Sequence, residues 1–149
     1  RLPIRGGDRR ERGAQRVVRG LAYELLPEAG IADLIAVALA IDHDFLTKHR
    51  ALRENAELHE AHERIDTAAG ALVNPAGLTQ HGVPLHDAIK AMPFPVLEIH
   101  MSNIAAREPW RDHSIIAPAV KATIQGLGWR SYTAGLRALV ETVREKRAG

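Results

Sequence analysis

Residues 96–103, VLEIHMSN, carry a carboxylate, an imidazole and a hydroxyl at alternate positions: Glu98, His100 and Ser102. Pro95 opens the segment, and a proline cannot continue a helix. A strand is therefore predicted over Pro95–Ile99, and because side chains alternate across a strand the three polar groups share one face. A carboxylate that holds an imidazole in one tautomer prepares it as a general acid near neutral pH. The alternative is a solvated strand edge with no chemistry, because a motif as short as E-x-H-x-S recurs by chance. A second polar run, AREPWRDHS at residues 106–114, follows at once.

These groups need elements to position them. Upstream, GALVNPAGLT at residues 70–79 reads as a short buried strand over Ala71–Val73 that ends in an Asn-Pro-Ala-Gly turn at Asn74. A helix follows over Val83–Met92, with Pro84 in its first turn and Val83, Ala88, Ile89 and Met92 largely on one face. Beyond the polar run come a strand over Ala119–Ile124, a Gly126-Leu127-Gly128 turn and a helix over Trp129–Arg147. That last helix carries Tyr132, Leu136, Leu139, Val140 and Val143 toward the core. Strands that end in polar loops, each followed by helical sequence, predict an α/β fold. Its sheet is parallel, with a site at the carboxyl ends of the strands.

The first half is less regular. Val17, Val18, Leu21, Ala22, Leu25 and Leu26 fall at helical spacing over Arg16–Leu26, before Pro27 and Gly30 punctuate the chain. Ala32–Ile41 reads as helix from its alanines or as buried strand from its apolar brevity. Asp44–Glu63 reads as a polar helix capped by Asp42 or Asp44. His59 and His62 have the spacing of a metal pair but no evident third ligand, so solvated histidines are the preferred reading and no metal is expected.

With 149 residues, 46% of them hydrophobic and 26% charged, the chain has the makings of one soluble domain over 1–149. It contains no cysteine, which excludes disulfides, thiolate metal sites and cysteine nucleophiles. The apolar run at Ile35–Ile41 is far below a membrane span, and no signal-peptide pattern opens the chain, so a cytoplasmic protein is expected. The net charge is only +2, yet residues 1–20 hold seven arginines against Asp8 and Glu11. Such a basic arm can touch nucleic acid, but it contains no aromatic residue to stack on bases, and a solvated terminus is the preferred reading.

The second half resembles the type II 3-dehydroquinate dehydratases. It carries their Asn-Pro turn as Asn74-Pro75 and the helix-opening aspartate as Asp87. The Glu-x-His-x-Ser-Asn strand end is Glu98 to Asn103, and the Arg-Glu-x-aromatic-Arg-x-x-Ser run is Arg107 to Ser114, with Trp110 in place of a phenylalanine. The likeness continues through Gly126 and Gly128 into the last helix and covers about residues 58–149. It implies a flavodoxin-like open parallel sheet with helices on both faces, and removal of water from 3-dehydroquinate through an enolate. No metal or other cofactor is implied, and the assembly would be a trimer-built dodecamer.

The resemblance also implies roles. His100 protonates the leaving hydroxyl and Glu98 orients it, while Asn74 helps hold the enolate side, through its amide or a bound water. Ser102 and the Met101 backbone bind the substrate carboxylate, Arg111 binds a ring hydroxyl, Arg107 supports its loop, and Asp87 reaches across a subunit contact. The family's second histidine aligns with Gln80, which can still hydrogen-bond a hydroxyl, unless a local shift of register brings His81 inward instead. His86 and His113 read as surface groups without partners. The family's base is a loop tyrosine whose framing motif is absent from residues 1–57; Tyr23 falls near its place, although a structural tyrosine on the first helix is the preferred reading. A relative that binds a small polyhydroxy carboxylate without turning it over is the alternative.

Overall fold

The computed structural model describes residues 66 and 68–148, and the backbone of one strand upstream, Ile35–Val37. The helices expected at 16–26 and 44–63, the arginine arm, His59, His62 and Tyr23 lie outside the described residues. The elements are β1 (Ile35–Val37), β2 (Ala71–Val73), α1 (Val83–Lys90), β3 (Val96–His100), β4 (Ala122–Gln125) and α2 (Arg130–Ala148). Within Ala32–Ile41 the ambiguity resolves at residues 35–37 as strand, because that backbone pairs with β2.

The strands form a four-stranded sheet in the order β1-β2-β3-β4, every pair parallel. Val73 lies opposite Glu98, and Glu98 opposite Thr123, so the polar carboxylate sits in the middle of the sheet. Strands covered on both faces read as continuous apolar runs rather than alternating ones; all three residues of β2 and all five of β3 are buried.

The two faces have separate cores. On one, Leu72, Leu97 and Ile99 pack against Tyr132, Leu136, Leu139, Val140 and Val143 of α2. On the other, Ala71, Val73 and Val96 pack with Ile89 of α1 and with Ile116. Helices thus cover both faces, as expected. Each fully buried leucine here contributes about 1.5–3 kcal/mol relative to exposure. Gly135 sets how closely α2 approaches: a Cβ there would stand 2.4 Å from Cδ1 of Ile99 and 3.4 Å from Cδ2 of Leu72.

Three expectations need correction. Val83 does not join the buried face of α1 but is 52% exposed, because it lies roughly 120° around the helix from Ile89 at 3.6 residues per turn. The last strand begins at Ala122 rather than Ala119, since Ala117–Ala119 forms a 3₁₀ turn around Pro118. The middle strand runs one residue further than expected, to His100.

Candidate active site

Strand β3 delivers Glu98 and His100 to the same face, with Glu98 fully buried and His100 3% exposed. His100 Nε2 lies 2.7 Å from Glu98 Oε1. The Ser114 hydroxyl donates to the same oxygen, and Thr123 Oγ1, directly opposite on β4, donates to Oε2 at 3.2 Å. A buried carboxylate is costly unless paired and hydrogen-bonded, and three donors meet that need here. Because an ionised carboxylate only accepts, the bond assigns the hydrogen on this side to Nε2. Nδ1 is then the ring atom left for a ligand.

Asn74 leaves the end of β2 and is 8% exposed. Its Oδ1 accepts from the Ala76 amide at 3.1 Å, closing a turn over Pro75. Its Nδ2 donates to Tyr132 Oη at 2.6 Å, across the sheet edge to the first turn of α2. Ala76 has φ 45°, the one non-glycine positive φ among the described residues, and left-handed backbone is unfavourable for a side chain. The turn is braced by Thr79 Oγ1, which donates to the Ala76 carbonyl at 2.6 Å.

A long loop ties this turn to the carboxylate. Gln80 Nε2 donates to the carbonyls of Arg111 (3.1 Å) and His113 (2.9 Å), and the Ile115 amide donates to the Thr79 carbonyl at 2.8 Å. Ser114, between those anchors, is the residue bonded to Glu98. Asn74, Gln80, the Arg111 backbone, Glu98 and His100 thus belong to one hydrogen-bonded assembly at the carboxyl ends of β2 and β3. Gln80 spends its amide on the loop, and no shift of register occurs: His81 is exposed.

The remaining predicted residues lie further out. The strand stops at His100, so alternation no longer places Ser102; it is exposed, and its Oγ accepts from Arg107 Nη2. Met101 is 37% exposed, and its carbonyl accepts from the Gly128 amide at 2.8 Å. Arg111 is held by both oxygens of Glu108, and its guanidinium stacks over Trp110 at 5.2 Å. That contact keeps the Glu108 carboxyl down at about 2, the Arg111 hydrogen bond being the main cause and its own backbone the next. Trp110 itself is 68% exposed. Asp87 is exposed and pairs with His86 at 3.0 Å, and His113 pairs with Asp112 at 3.2 Å, so both histidines have the partners the sequence did not name. Among the described residues no group of three or more His, Asp or Glu is placed to hold a metal ion. A groove of about 300 Å³ opens at the opposite end of β3, around Met92, Phe94 and Val96, and holds none of these groups.

Three residues at this site carried no predicted role. Ser114 and Thr123 hold Glu98; the only signal for Thr123 was its place on a neighbouring strand. Tyr132 was expected as core, and its ring is core, but its hydroxyl reaches Asn74.

A family model described as Dehydroquinase class II matches residues 36–140, beginning well upstream of Leu58. The 3-dehydroquinate dehydratase of Rhizobium meliloti (strain 1021) is 50% identical over 82 residues, 55% of this chain and 53% of that protein. The protein of the same name from Marinomonas sp. (strain MWYL1) is 38% identical over 127 residues, 82% of this chain and 83% of that one. Against several such relatives, then, the chain spans little more than half of their length. The crystal structure of the type II dehydroquinase from Propionibacterium acnes superposes with a TM-score of 0.57 at 26% identity, covering 91% of this chain and 93% of that one. The parallel sheet with helices on both faces is accordingly the flavodoxin-like fold, and the chain belongs to the class II dehydroquinase family.

Proposed function

We propose that the chain binds 3-dehydroquinate at the carboxyl ends of β2 and β3 and eliminates water to give 3-dehydroshikimate, a step of the shikimate pathway toward aromatic amino acids. The observation that carries this reading is the buried Glu98–His100 pair, whose bond leaves Nδ1 of the imidazole facing away from the carboxylate. A base removes the proton on the carbon next to the ketone. The electron pair forms an enolate, and its collapse expels the hydroxyl, which leaves as water with the proton that the doubly protonated His100 ring carries on Nδ1, while the Nε2 hydrogen stays bonded to Glu98. Hydroxide is a poor leaving group without such an acid.

Asn74 faces the enolate side, where a fixed donor acts on charge as it develops. Ser102 and the Met101 backbone take the substrate carboxylate, Arg111 takes a ring hydroxyl, and Gln80, whose Nε2 is held by the loop, accepts from a ring hydroxyl through its Oε1. Glu108 preserves a charged, bidentate partner for Arg111 in the absence of substrate. His81, exposed, is left out of this set. Asp87 reaches a neighbouring subunit of a homo-oligomer, a dodecamer by family resemblance, in the cytoplasm. No described residue is assigned as the base; the chain has two tyrosines, and Tyr23 is the sequence's candidate.

The test is direct. Catalytic amounts of the chain mixed with 3-dehydroquinate should produce the ultraviolet absorbance of the conjugated enone at a rate proportional to protein. An absorbance that never rises above the protein-free control would refute the reaction.

A further inference from the structure

The amide of Asn74 is oriented from two sides. The Ala76 N–H can only donate, so the oxygen of the Asn74 amide must face it, at 3.1 Å. The nitrogen then faces Tyr132 Oη at 2.6 Å, with the tyrosine oxygen as acceptor, a role no apolar ring can fill. The first contact comes from the turn itself, two residues away, and the second from a helix 58 residues away. Once both are made, the second Nδ2 hydrogen has no acceptor among the described residues.

Tyr132 is well suited to such fixing. Its ring is 6% exposed within the cluster of Leu72, Ile99 and Leu136, so the hydroxyl cannot wander. Helix α2 is itself pinned to the sheet by the close approach at Gly135. The turn it reaches is the one holding Ala76 at positive φ, a conformation that persists only when its surroundings over-determine it.

We propose that Tyr132 is a positioning residue that acts through Asn74, fixing the amide so that its remaining N–H points to the enolate side of the substrate. The claim rests on the dehydratase reading above, and its test separates the two. Tyr132→Phe keeps the buried ring and removes only the oxygen. Kcat should fall roughly 10-fold or more with KM nearly unchanged, because a misplaced donor costs most in the transition state. In an Asn74→Ala background the same substitution should cause no further loss, since the partner through which it acts is gone. The Asn74 side-chain amide signals in a ¹⁵N NMR spectrum, identified by their absence in Asn74→Ala, should shift and exchange faster in Tyr132→Phe. Unchanged kcat, or losses that multiply in the double variant, would overturn the proposal. If the unsubstituted chain shows no turnover, the reaction assignment falls, and the NMR comparison alone decides: amide signals unaffected by Tyr132→Phe would overturn the positioning role.

Discussion

Glu98 and His100, two residues apart on one strand, meet at 2.7 Å between Oε1 and Nε2 while both side chains are almost completely withdrawn from water. A solvated strand edge would leave them exposed and independent. Burial instead makes each depend on the other, because an uncompensated carboxylate in the sheet is strongly unfavourable.

Replacing the carboxylate tests that dependence. Glu98→Gln retains one acceptor oxygen but adds an N–H₂ where Ser114, Thr123 and His100 all donate. Leaving one of these groups unsatisfied costs about 1–3 kcal/mol, visible as a lower denaturant midpoint. With the imidazole no longer held in one tautomer, kcat should drop roughly 100-fold. A variant as stable and as active as the unsubstituted chain would show that the pairing is incidental.

The period-two pattern made this pair legible in the sequence, since Glu98 and His100 both lie inside the strand. It does not reach Ser102, because alternation ends where the ladder ends, at His100. Helical spacing likewise identified Leu136, Leu139 and Val140 as core. It marked Tyr132 only as another core position, because a hydroxyl bonded 58 residues away leaves no local trace. Ala32–Ile41 was ambiguous for a related reason: a short apolar run has no period, and pairing with β2 is what defines the strand there.

Ala76 offers a second test. Its positive φ is strained for alanine and free for glycine. The added flexibility of glycine in the unfolded chain offsets part of the relief. Ala76→Gly should therefore stabilise the protein by about 0.5–1 kcal/mol, seen as a higher midpoint of urea unfolding with an unchanged slope. Destabilisation instead would mean that the turn does not relax onto the Asn74 and Thr79 bonds as described.

The Glu108–Arg111 pair fixes a pH window. The Glu108 carboxyl is lowered from 4.5 to about 2 by the Arg111 hydrogen bond. Its folded value lies below its ordinary one, so its contribution is complete above 4.5 and is lost as pH falls toward 2. NMR titration should find Glu108 still ionised at pH 3.5, with Arg111→Lys moving its midpoint back up. In the kinetics, Glu108→Gln should raise KM for 3-dehydroquinate by a factor of roughly two to ten, as a less restrained Arg111 must be ordered on binding. An ordinary Glu108 midpoint would show the pair to be absent in solution.

The most direct measurement is the turnover of 3-dehydroquinate by His100→Gln beside the unsubstituted chain, with 3-dehydroshikimate affinity measured by calorimetry on both. Glutamine keeps a donor for Glu98, so the protein should fold and still bind the product. Protonation of the leaving hydroxyl matters chiefly in the transition state, and kcat should fall roughly 10²–10⁴-fold while product affinity changes little. Turnover equal to that of the unsubstituted chain would contradict the assignment of His100 as the acid.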